Sequence, residues 1–105
     1  MTEELKKQME ESLSAVKSAF ILRPLSEQID KILEIQSSGA GIFFSGEVMW
    51  HVSLPEYDKL LKGHSESLNS AFSDMSRCLS SLLENHDKKT QVLCSVELSS
   101  GGLDE

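Results

Sequence analysis

The residues of this chain that could most readily do chemistry are three histidines and two cysteines. His51 lies in a segment that alternates like a strand, whereas His64 and His86 fall in a stretch with helical periodicity. On one helix these two imidazoles would be about 33 Å apart, which is too far to share a metal ion within one chain. We interpret the histidines as core or interface residues, with a pH-sensitive interface as the alternative.

The other candidates for catalysis or cofactor binding also favour structural roles. Cys78 lies in the middle of an apolar helix face, where a thiol packs as a small hydrophobe, and Cys94 shares no CxxC pattern with it. Gly39-Ala40-Gly41 lacks the spacing and the following helix of a dinucleotide site. Since no nucleophile–base pair or metal-ligand set can be assembled, we predict no catalytic residue, cofactor or metal, and a protein that is not an enzyme.

The segment that would position these residues is 53–86, which has the strongest periodicity in the chain. Drawn as one helix, its apolar residues fall within an arc of roughly 140°. A capping box begins at Ser53, and Gly63 lies on the polar side. We predict a short helix over 54–62, a kink or turn at Gly63, and a long helix to about Asn85.

Helical periodicity also precedes this segment. An apolar stripe runs through the first 20 residues, and Thr2 can cap the helix that carries it. Arg23-Pro24 interrupts the pattern, because proline cannot donate the hydrogen bond of an interior helical turn. We predict two helices or one sharply bent helix, with the break at Pro24.

Between the helices the period becomes that of strands. Glycines separate three candidate strands, 33–38, 42–44 and 47–53, with Ser45-Gly46 as a turn. The first of them also fits a continuation of the preceding helix. Residues 90–98 alternate again, which indicates a fourth strand or an extended packing segment.

These elements predict an α+β fold of the order α-β-β-β-α. It consists of an N-terminal helix or kinked helix pair, a short antiparallel three-stranded meander and the long amphipathic helix, followed by a C-terminal strand or extended packing segment. We predict one domain over 1–98 and a disordered acidic tail over 99–105. The predicted long helix is longer than the predicted strands, so part of it extends beyond the sheet. Its apolar residues there must be buried against the N-terminal helices or a second subunit. We favour a homodimer. The interface candidates are Phe72, Met75, Leu79, Leu82 and Leu83.

Composition limits the function classes. The chain has 105 residues, 39% of them hydrophobic, which suffices for one core. No apolar run reaches the roughly 20 residues of a membrane-spanning helix, and the start of the chain is too charged for a signal peptide, so we expect no membrane association. Unpatterned cysteines favour a reducing, cytoplasmic setting. A net charge of −7 disfavours nucleic acid when charge alone is considered.

Three short motifs occur in an order that resembles the YbaB/EbfC family over about residues 26–84. They are SSGAGI (37–42), VSLP (52–55) and AFSDMSR (71–77), and a helix rich in Met, Gln, Glu and Lys precedes them. The chain departs from the family pattern at Pro24, which breaks the first helix. The resemblance implies a helix, a three-stranded sheet and a long helix that form a dimeric, nucleoid-associated DNA-binding protein.

Two functions follow as expectations. The first is a homodimer that binds duplex DNA through phosphate contacts with little sequence specificity. Its candidate contacts are Lys6, Lys7, Lys17, Arg23, Lys88 and Lys89. The second is an acidic protein–protein interaction module, such as an inhibitor, adaptor or chaperone, that presents the long amphipathic helix to another protein.

Overall fold

The computed structural model describes residues 3, 4, 6, 7, 10, 21–37 and 45–99. The fold is α+β, as predicted, but its order is not α-β-β-β-α. Residues 3, 4, 6, 7 and 10 are helical and exposed. The later elements are β1 (Arg23–Pro24), α1 (Leu25–Ser37), β2 (Ser45–Leu54), a 3₁₀ turn (Pro55–Tyr57), β3 (Lys59–Ser67), α2 (Leu68–Leu83) and β4 (Gln91–Ser99).

The strands form one antiparallel sheet in the order β1-β4-β2-β3. The central strand β2 pairs with β3 on one side and with β4 on the other, so that Trp50 lies opposite Gly63 and Val96. Near its start β2 contains a bulge. Ser45 pairs with Ser67 and Val48 pairs with Ser65, so β2 has one more residue than β3 between these two pairs. Gly46 lies within this irregularity at a φ of 152°, which residues other than glycine rarely adopt.

Both helices that are described in full pack on the same face of the sheet. Helix α1 covers β4 and β1, α2 covers β3 and β2, and the two helices contact each other. Alternate residues of β2 and β4 point into this layer and are buried with the apolar stripes of the helices. Two polar contacts fix α2: Ser65 Oγ donates to Asp74 Oδ2 at 2.9 Å, and Gln36 Nε2 of α1 donates to Ser73 Oγ at 3.0 Å.

The helix predicted over 54–62 is wrong, because these residues form the end of β2, the turn of a β-hairpin and the first part of β3. The chain reverses through the 3₁₀ turn, and Asp58 completes the reversal in the left-handed conformation at φ 49°. Ser53, the expected start of a capping box, lies within β2. Helix α2 instead begins after Ser67, whose side chain accepts a hydrogen bond from the amide of Ser70.

Other boundaries are partly as predicted. The break at Pro24 is confirmed, since helix α1 begins immediately after it. The strand predicted over 33–38 is wrong, because α1 continues through Ser37. Ser45-Gly46 belongs to β2 rather than to a turn. The C-terminal strand is confirmed and includes Ser99; the rest of the predicted tail and the strand over 42–44 lie outside the described residues.

Gly63 is required by the ring of Trp50. The indole packs over the glycine from the facing position on β2, and a Cβ at residue 63 would lie 2.0 Å from Cε2 of the indole. Such an overlap exceeds any tolerable contact, and Trp50 is only 9% exposed and cannot easily move aside. Gly63 therefore has a packing role in a strand, rather than a role as a helix breaker.

We predict that Gly63→Ala destabilises the fold by about 1–3 kcal/mol, the usual cost of overpacking a core. Urea unfolding followed by circular dichroism measures this cost. In a Trp50→Leu background the clash is absent, so the same substitution should cost much less. An equal cost in both backgrounds would refute the contact.

Candidate functional site

The face of the sheet opposite the two helices is the candidate site. Residues that alternate with the buried positions of β2, β3 and β4 point to this side and are partly or fully exposed. We call these nine residues the open face. Cross-strand pairing places them in three rows: Leu60, Ser53 and Leu93; Lys62, His51 and Ser95; His64, Met49 and Glu97.

The three rows differ in chemistry. The row next to the hairpin turn is mostly apolar, and its Leu60 is 52% exposed. The middle row combines a lysine, an imidazole and a hydroxyl group. The third row contains Met49 between His64 and Glu97, and the exposed Glu47 and Glu66 lie beyond it on the same strands. The open face thus changes from apolar at one end to acidic at the other.

The open face brings together two histidines that the sequence prediction placed on different elements. His51 is opposite Lys62 and His64 is opposite Met49, so the two imidazoles are diagonal neighbours on adjacent strands. His86 lies elsewhere, in ring contact with Tyr57 at 4.5 Å between centroids. Among the described residues no group of three or more His, Cys, Asp or Glu side chains is arranged to hold a metal ion.

Over the described residues, one long strand has a side that no other strand covers. Strand β3 is terminal in the sheet and pairs there only with β2. At the opposite end, β1 covers β4 only at Val92 and Gln91. A free strand edge presents unpaired backbone groups that can bind another strand.

The predicted DNA contacts do not form one basic patch over the described residues. Lys6 and Lys7 are exposed, but Glu3, Glu4 and Glu10 surround them. Lys17 lies outside the described residues.

Arg23, Lys88 and Lys89 approach one corner of the sheet. Pairing of β1 with β4 and the bond from the amide of Leu25 to the carbonyl of Thr90, 2.7 Å long, bring them there. Acidic groups share this corner: Asp87 accepts a hydrogen bond from the amide of Lys89, and Glu56 accepts one from that of Gln91. Among the predicted DNA contacts that the structure describes, these three cations form the largest basic group. Carboxylates lie among them and reduce its positive charge.

The predicted interface residues lie within the core of a single chain. Phe72, Met75, Leu79 and Leu82 are buried between α2, α1 and the sheet, and Leu83 is partly buried against the same core. Helix α2 is 16 residues long, or about 24 Å, shorter than the predicted helix. The sequence analysis offered the N-terminal helices or a second subunit as the cover for the apolar face of this helix. In the structure a preceding helix, α1, covers it.

The two cysteines differ in accessibility. Burial raises the pKa of Cys94 to about 12, while a hydrogen bond with the Gln28 side chain acts in the opposite direction. Partial burial also raises the pKa of Cys78, and the charge of Lys59 partly offsets this effect. Both thiols are reduced and neither is activated as a nucleophile.

Comparison with protein-family models, with curated proteins and with solved structures finds no significant match. No helix among the described residues is both long and apolar enough to cross a membrane. The function is therefore inferred from the geometry of this chain.

We predict that alkylation at neutral pH distinguishes the two thiols. Iodoacetamide should modify Cys78 slowly in the folded protein, and Cys94 only after unfolding in urea, because a buried thiol with a high pKa supplies almost no thiolate. Peptide mass spectrometry over time measures both rates. Modification of Cys94 as fast as that of Cys78 in the native protein would contradict its burial.

Proposed function

We propose that this chain is a small, non-enzymatic protein-binding module whose partner docks on the open face of the sheet. The observation that carries this proposal is the contrast between the two faces. The helix-covered face is filled by a continuous core, whereas the open face presents Leu60, Met49 and Leu93 among polar groups without cover from α1 or α2. A surface that is apolar in part and rimmed by charge is typical of protein interfaces.

The helices offer less to a partner. Their apolar stripes are used within the chain, and their outer faces are mostly acidic and hydroxylated. This changes the binding surface of the interaction module expected from sequence, in which the long helix was to make the contact. The sheet takes that role in the present proposal.

The rows of the open face define the chemistry of the partner. A helix laid along the direction of β2 would place apolar side chains on Leu60 and Leu93 and basic side chains near Glu97, Glu66 and Glu47. We therefore infer an amphipathic helical segment that is apolar at one end and basic at the other. The histidines and Lys62 between these ends supply hydrogen bonds that fix its orientation.

Charge insertion at the apolar row tests this proposal. We expect Leu60→Glu with Leu93→Glu to weaken partner binding at least tenfold, because a few buried apolar contacts carry most of the energy of an interface. The matched control is Leu33→Glu, the same change at an exposed leucine of α1. The partner is first isolated by affinity capture and then titrated, purified, against each variant by calorimetry.

The outcomes are distinct. Loss of binding in the open-face variant with retention in Leu33→Glu supports the open face as the docking surface, provided that both variants melt like the parent. Loss only in Leu33→Glu would place the partner on the helices and refute the proposal.

A second candidate function is binding to duplex DNA. It is favoured by the corner at which β1–β4 pairing gathers Arg23, Lys88 and Lys89 from distant parts of the sequence. Such a site would contact phosphates without reading bases. The resemblance to the YbaB/EbfC family pointed to the same function.

We predict that the affinity for DNA falls steeply as salt is raised. The slope of log affinity against log salt concentration should become less steep by about 0.9 for each phosphate contact removed. Fluorescence anisotropy of a labelled 30-base-pair duplex would measure the slope for the parent and for Arg23→Ala with Lys88→Ala and Lys89→Ala. Lys62→Ala, on the open face, serves as the control and should leave the slope unchanged. Absence of binding at tens of micromolar protein in low salt would eliminate this candidate.

A further inference from the structure

The free side of β3 has a charge pattern that makes it complementary to itself. Lys59 and Lys62 lie in the first half of the strand and Glu66 lies in the second half. When two copies of such a strand pair antiparallel, the basic half of each meets the acidic half of the other. Strand β4 has no such pattern, because Glu97 is its only charged residue.

The faces of the sheet restrict the register of this pairing. Even-numbered residues of β3 point to the open face, and residues directly opposite each other in a sheet point to the same side. A two-fold axis through Gly63 would place Leu60 opposite Glu66 of the second copy. An axis through His64 instead places Lys62 opposite Glu66 twice and forms a ladder over residues 61–67 of both copies.

We propose that a second copy of this chain pairs with β3 edge to edge, antiparallel and in the register centred on His64. The two four-stranded sheets then become continuous, with α1 and α2 of both copies on one side and two open faces side by side on the other. This pairing uses the backbone edge of β3 and leaves both open faces accessible, although the side chains of Lys62 and Glu66 also belong to the surface proposed for the partner. The dimer would present two docking surfaces at once, a bivalent arrangement.

The first test is a charge reversal measured by light scattering and by sedimentation over a range of protein concentrations. We expect Lys62→Glu and Glu66→Lys each to weaken the dimer about tenfold, because each puts like charges opposite one another at two positions. The double variant Lys62→Glu with Glu66→Lys restores the complementarity and should dimerise like the parent. Lys31→Glu, the same charge change on α1, is the control.

The second test determines the register. In a Cys78→Ala background, His64→Cys should form a disulfide between copies under mild oxidation, because the two residues face each other across the axis. Leu60→Cys should not, since its two copies would be about 27 Å apart along the strands. A parent chain that keeps the mass of a monomer at several hundred micromolar overturns the proposal, as does a dimer that neither single charge reversal weakens. Neither result affects the open-face test, which measures a heterologous complex.

Discussion

The contact between the indole of Trp50 and the backbone of Gly63 is the constraint on which the rest of the structure depends. Only glycine leaves room for the ring at this position, so the contact fixes which residue of β3 lies opposite Trp50. A slip of one residue would turn every side chain of β3 to the other face. The same contact therefore sends Leu60, Lys62 and His64 away from the helices and creates the open face.

This arrangement separates stability from binding. The large apolar side chains of α1, α2 and one side of the sheet pack against one another within the chain. In our proposals, recognition uses two features of the sheet, the open face and the free side of β3. The first is graded from apolar to acidic and suits a different protein, whereas the second is complementary to itself and suits another copy.

Sequence reasoning succeeded where one strong local signal acted alone. The alternation of Val48, Trp50 and Val52 identified β2, and Pro24 correctly marked a helix boundary. It failed at β3 because two of the helix-facing residues of that strand, Gly63 and Ser65, are small and interrupt the apolar alternation that Leu61 begins. The hairpin turn also begins with proline and glutamate, which imitate the start of a helix.

The candidate site could not be predicted for the same reason. His64 joins His51 on one face only if 59–67 is a strand, and that assignment depends on packing against Trp50, which is a contact between residues far apart in sequence. The mixed side of β2, with Met49 and His51, was visible from sequence as a weak signal. The burial of Leu79 and Leu82 within one chain depended on the placement of α1, which periodicity does not determine.

The most direct test of this account is the NMR environment of Gly63. If the indole lies over its backbone, the Hα resonances of Gly63 will be shifted strongly upfield by the ring current and will show nuclear Overhauser effects to the Trp50 ring protons. Strong sequential amide–amide effects through residues 59–67, with Gly63 near its random-coil shift, would indicate a helix and contradict both the hairpin and the open face.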